Sequence, residues 1–225
     1  MIEVFLEAGD KRVFASALAW PGWSRSGKTD DEALAALFAC GPRYLAALGP
    51  GSGFSPPHAV TDFKVVERLR GGPTTDFGAP GAESPTEGRP IQEAELGRLV
   101  GLLERCWIAF DRSADGATGR ELTKGPRGGG RERDAIVTHV LEAEEAYLRG
   151  IGGSVRDLPG HDMGTAVRMA ALRARVVETL ADRAAGVPPP PNPRRTRAIW
   201  SVRYYVRRSA WHALDHAWEI EDRLD

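Results

Sequence analysis

Four stretches of apolar residues spaced three and four apart follow one another after Pro90, and they limit what this chain can fold into more than anything before them. They cover residues 91–113, 134–151, 163–185 and 195–224. Breaks rich in Gly and Pro separate them, such as Gly125-Pro126 and the four prolines at 188–191. Apolar residues at that period line one side of a helix and have to be covered by a neighbour. Glycine and proline end such segments because one lacks conformational restraint and the other lacks a backbone donor. Four helices of this length are packed most economically as an all-α, up-and-down four-helix bundle over residues 91–225. No internal repeat accompanies them.

The first 70 residues follow another rule. Residues 2–7 and 12–17 are strand-like runs around the turn Gly9-Asp10, and Trp20-Pro21-Gly22-Trp23 separates them from a third short run at 24–26. Thr29-Asp30-Asp31-Glu32 has the form of a capping box, in which Thr29 accepts from the amide of Glu32 and Glu32 reaches back. It opens a helix carrying Leu34, Leu37, Phe38, Leu45 and Leu48 that Gly49-Pro50 stops, and residues 60–69 suggest one more strand. This predicts an α+β module over 1–70. The prolines and glycines of 71–90 predict a loop or linker between module and bundle.

Composition narrows the functional classes. A formal net charge of -1 produces no strong global field toward nucleic acid or acidic lipid. No apolar run approaches the roughly 20 residues needed to cross a bilayer. Cys40 and Cys106 are the two cysteines, far apart and on helix-like segments, and the start of the chain has no basic region followed by an apolar one. These features lead us to expect a cytoplasmic protein with reduced thiols and no signal peptide.

His212 and His216 stand four residues apart in Ala-Trp-His-Ala-Leu-Asp-His-Ala-Trp-Glu-Ile, within the last helical segment. At about 100° per residue both rings project from one side of a helix, where a single metal ion can touch both. Val206, Ala210, Ala213, Ala217, Ile220 and Leu224 form one face of that helix, with the two histidines at its edge beside Tyr205 and Glu219. On the second helix His139 shares a strip with Ile136, Ala143 and Ala146, small residues that allow a close neighbour. His139, His212 and His216 thus form a candidate three-histidine metal site. Ordinary histidines, two on a polar helix edge and one in the core, are the alternative. Ala213 follows His212, so the zinc-protease signature with its Glu base is absent. Glu142 and Glu219 each follow a histidine by three positions, either as partners that orient a ring or as solvated charges.

From about residue 91 to 225 the chain resembles the DinB/YfiT-like superfamily of four-helix bundles. The resemblance rests on Val-Thr-His139-Val-Leu-Glu-Ala-Glu and on Trp-His212-Ala-Leu-Asp-His216-Ala-Trp-Glu-Ile-Glu-Asp-Arg. It implies a divalent ion held by His139, His212 and His216, with zinc or nickel first among the metals that suit imidazole. It also implies a transferase or isomerase acting on a small-molecule substrate with a low-molecular-weight thiol, of which mycothiol and bacillithiol are examples. The N-terminal order of strand, strand, Trp-Pro-Gly-Trp, short strand and capped helix is similar to the HicB-like antitoxin fold. That likeness implies a regulatory module with a toxin partner, in which the metal is structural or vestigial. The helices that follow argue instead for a scaffold or dimerisation role.

Gly22-Trp-Ser-Arg-Ser-Gly27-Lys28-Thr29 matches the phosphate-binding loop pattern letter for letter. A loop of that kind needs a buried parallel strand before it and several βα units after it, and Asp30 and Asp31 would repel phosphate. Trp200, Tyr204, Trp211 and Trp218 form an aromatic stripe on the last helix, suited to core packing against the N-terminal module or to a homodimer interface. The basic loop 120–133, with Lys124 and Arg127, reads as a solvated connector or a holder of an anionic cofactor. Cys106 reads as a buried helix residue with no base beside it.

Overall fold

A computed structural model of the chain describes residues 1–124, 130–191 and 198–224. The Gly125-Pro126 break with Arg127, the expected start of the last helix at Arg195, and Asp225 lie outside them. The architecture is mixed α/β, with a four-stranded sheet first and helices after it. Strands β1 (Ile2–Ala8), β2 (Val13–Ala17), β3 (Ser24–Gly27) and β4 (Phe63–Arg70) lie in the order β3-β2-β1-β4. Tight turns make β1, β2 and β3 antiparallel. Helix α1 (Asp30–Leu48) crosses over the sheet and returns the chain to pair β4 parallel to β1.

The cap of α1 forms at Thr29, whose Oγ1 accepts from the Glu32 amide at 3.2 Å. Glu32 reaches back one residue further than the motif requires, accepting from the amide of Lys28 at 2.7 Å. Residues 24–27, inside the phosphate-loop pattern, pair with β2 in the sheet rather than wrapping an anion. Trp23 stacks on Tyr44 of α1 and donates to the carbonyl of Leu37 at 3.0 Å, while the Tyr44 hydroxyl donates to Pro21. Gly22 occupies positive φ, and a Cβ there would meet Leu214 at 3.0 Å, so this turn is pressed against the last helix.

Both faces of the sheet are covered. Val4, Leu6, Val13, Ala15 and Ala17 join the apolar cluster that includes Leu37, Tyr44 and Leu48 of α1. The alternate residues Phe5, Glu7, Phe14 and Ser16 are buried as well, because the other face meets the last helix and the segment before α3. This explains why β1 and β2 are buried almost continuously and do not alternate.

Residues 71–90, expected as a loop or linker, hold a short helix α2 (Pro73–Phe77) and then run as a strap fixed at many points. Buried Glu7 accepts from Thr75 and from the amides of Gly81 and Ala82, at 2.9 and 3.0 Å for the two amides. The long helices are α3 (Glu93–Gly116), α4 (Arg133–Gly150), α5 (Thr165–Ala184) and α6 (Val202–Glu221). Helix α6 packs against α3 and α4, α4 against α5, and α5 against α3. Fifteen of the twenty residues of α6 are buried, so it is the central element and not a surface helix.

Its arginines grip the strap. Arg207 pairs with Glu87 at 2.7 Å, both nearly enclosed, and donates to the carbonyl of Ala82. Arg203 pairs with Glu95 at 2.7 Å and reaches the carbonyl of Pro90; Arg208 donates to Pro80 and Tyr204 to Gly81. The aromatic stripe is therefore internal. Trp211 meets Phe14 edge to face, Trp218 lies between Arg25 and Arg43, and Trp200 is half-buried against Tyr147. Among the described residues no helix is long and apolar enough to cross a membrane.

Candidate metal centre

Helices α4 and α6 bring His139, His212 and His216 together. The rings of His212 and His216, one turn apart, are 4.5 Å between centroids, and His139 lies 5.2 and 4.9 Å from them. One ligand nitrogen from each ring lies within 4.8 Å of the other two, and the Nε2 atoms of His139 and His212 are 3.3 Å apart. Glu144 of α4, which is wholly buried, ties the two helices together near the cluster. It accepts from the hydroxyls of Tyr205, at 3.0 Å, and Ser209 of α6. The small strip expected on α4 is met in part: Ile136 is buried and Ala143 half-buried, but Ala146 is exposed, because the buried face turns toward Val140, Leu141, Glu144 and Leu148. His139 sits at the edge of that face. It opens into a shallow surface pocket lined by Arg131, Asp134, Thr138 and Glu142.

The donor set fits a divalent ion of the zinc type. Imidazole nitrogens at 2.0–2.1 Å from a tetrahedral ion stand about 3.3–3.4 Å apart, the separation His139 and His212 already have. Two imidazole lone pairs facing at this distance repel unless a proton or a cation lies between them. Burial, with the neighbouring histidines adding to it, holds the pKa of His212 well below the usual histidine range and lowers that of His139. Both rings are accordingly neutral near pH 7, the state in which a nitrogen can bind metal. The Nδ1 atom of His212 is buried with no hydrogen-bond partner, so a proton there leaves Nε2 to face the cluster.

Glu219 completes the fit. Its Oε2 lies 2.7 Å from Nδ1 of His216, and the hydrogen bond from that ring is the chief reason its carboxyl is held below the usual range. A proton kept on Nδ1 leaves Nε2 with its lone pair, the arrangement typical of metal-bound histidine. The other oxygen of Glu219 accepts from Arg223 at 3.3 Å, and Arg223 in turn donates to the carbonyls of Thr123 and Arg131. Of the two carboxylates singled out by spacing, Glu219 thus contacts its ring, while Glu142 stands exposed at the pocket mouth near His139.

Two further residues, outside the candidates drawn from histidine spacing, stand beside the cluster. Tyr147 of α4 lies 5.6 Å from His212 between ring centroids, edge to face. Arg208 of α6 sits between Tyr147 and Trp211, with its guanidinium 5.6 and 5.1 Å from their ring centres. Tyr147 follows His139 by eight positions and Arg208 precedes His212 by four, a signal of shared helix faces that could have found them. Cys106 is fully enclosed in α3, and burial pushes its thiol pKa up, as it does that of Cys40. No family model, curated protein or solved structure matches this chain.

Proposed function

We propose that the protein is a divalent-metal-dependent enzyme whose four long helices form an up-and-down bundle of the DinB-like type. In this reading it is a transferase or isomerase working with a small-molecule thiol. The observation that carries the proposal is the convergence of three imidazoles on one point, one of them oriented by a buffered carboxylate. When bound, zinc or nickel supplies an open coordination position and a charge that favours the anion of a thiol or water near neutral pH. The chain's part is to hold that position with His139, His212 and His216, and to keep the proton of His216 on Nδ1 through Glu219. Its own cysteines are poor nucleophiles, since burial disfavours both thiolates, and this supports a nucleophile brought in from solution. The N-terminal sheet acts as a scaffold that braces α6.

The test is elemental analysis of the full chain and of a His139→Ala, His212→Ala, His216→Ala variant, each exposed to zinc or nickel and desalted. One metal per chain in the parent and none in the variant is expected, followed by thiol-dependent turnover of electrophiles that is lost with the metal. Equal metal content in the two proteins would remove the site, and with it the enzyme reading.

A further inference from the structure

Three arginines of α6 lie on the side of the strap and α4, and two of them are neutralised. Arg203 pairs with Glu95 and Arg207 with Glu87. Arg208 has no carboxylate within salt-bridge distance among the described residues. It is nevertheless held in place. One nitrogen donates to the carbonyl of Pro80 at 2.8 Å, and the aromatic rings of Tyr147 and Trp211 flank the guanidinium. A half-buried cation that is fixed but unpaired favours an anion from outside.

Its position gives the anion a location. Along α6, Arg208, His212 and His216 follow at intervals of four, and His139, Ala143 and Tyr147 do the same along α4. The two strips face each other: His139 meets both histidines, and Tyr147 meets both His212 and Arg208. Arg208 and Tyr147 therefore stand about one helical turn, roughly 6 Å along the helix axis, beyond His212. The three candidate ligands are all imidazoles, so no carboxylate among them offsets the charge of a bound cation.

We infer that Arg208 and Tyr147 form an anion subsite beside the three histidines, and that the centre takes a small ligand carrying both a metal-binding atom and a carboxylate about one helical turn away. This rests on the metal-centre reading and adds the second recognition element. Arg208 receives the carboxylate, with the Tyr147 side chain against its guanidinium, and Ala143, the residue between His139 and Tyr147 on that strip, is small and half-buried.

The test uses the full chain loaded with cobalt(II), whose visible and near-ultraviolet absorption reports a thiolate joining the metal. The probes are 3-mercaptopropionate and 3-mercaptopropionamide, which match in length and differ in charge. The acid is expected to bind about tenfold more tightly than the amide, as a charge-assisted contact in a half-buried site provides. In Arg208→Met the two affinities should converge to within about twofold, with that for the amide unchanged. Equal affinities in the parent, a comparison that needs no variant, would overturn the subsite, and so would a preference that survives in Arg208→Met. A parent that takes up no cobalt, or whose spectrum responds to neither thiol, would overturn the metal-centre reading and the subsite with it.

Discussion

His216 takes its orientation from Glu219, whose second oxygen is held by Arg223, so a single carboxylate links a candidate ligand, through Arg223, to the backbone carbonyls of Thr123 and Arg131. Glu219→Gln should weaken zinc binding by roughly 10–100-fold, measured by competition with a chromophoric chelator, with the far-ultraviolet circular dichroism unchanged. The histidines also make stability depend on pH. His139 and His212 are held below their ordinary pKa, chiefly by burial, so below about pH 6.5 the unfolded chain binds protons that the folded chain does not. Their contribution is complete above that pH and declines as pH falls. Urea midpoints of the metal-free protein should therefore drop from pH 7.5 to 5.5, and the drop should shrink in His139→Ala, His212→Ala. At this scale much is legible in the sequence. The i, i+4 histidines and the offset of three to Glu219 are local relations along a helix, which spacing preserves. Glu142 has the same offset, and only its exposure separates it from Glu219. Tyr147 and Arg208 gain meaning only by facing each other across two helices.

Helix α6 is nearly surrounded, and buried polar contacts help hold it alongside the apolar ones. Arg207 and Glu87 are each about 4% exposed, so removing one leaves the other as an uncompensated buried charge. Arg207→Met should cost about 3–5 kcal/mol in chemical denaturation and should speed amide hydrogen exchange in residues 79–90. Glu144→Ala should cost about 2–4 kcal/mol, because two buried hydroxyl donors lose their acceptor. It should also weaken metal binding by loosening the register of α4 on α6. Equal zinc affinity in that variant would show that the histidines are placed without Glu144. Helix periods and the Thr29 cap were plain in the sequence, since they depend on neighbours within one or two turns. The strap was not. Its order comes from arginines more than a hundred positions away, while its own residues show only the prolines and glycines of a loop.

At the scale of the molecule, one apolar cluster runs from β1 through α1 and α3 to α6, and the sheet is enclosed between α1 on one face and α6 with the strap on the other. A fragment of residues 91–225 would expose Trp211, Trp218 and Tyr204, which the sheet and strap cover in the full chain. It should lack a cooperative urea transition and native near-ultraviolet circular dichroism, whereas the full chain should unfold in one step; a sharp transition in the fragment would show that the helices are self-sufficient. Local sequence is enough for the elements: strands in the first part, a capped helix after them, long amphipathic helices after Pro90, and two histidines on one side of the last. Those features are written in local periodicity and in the chemistry of Thr, Gly and Pro, which act over a few residues. Long-range packing alone turns the aromatic stripe of α6 inward, fastens residues 71–90, and leaves Arg208 beside the histidines without a carboxylate partner among the described residues. Each of these depends on which distant side chain supplies the matching charge, donor or ring, and a one-dimensional pattern carries no record of that choice.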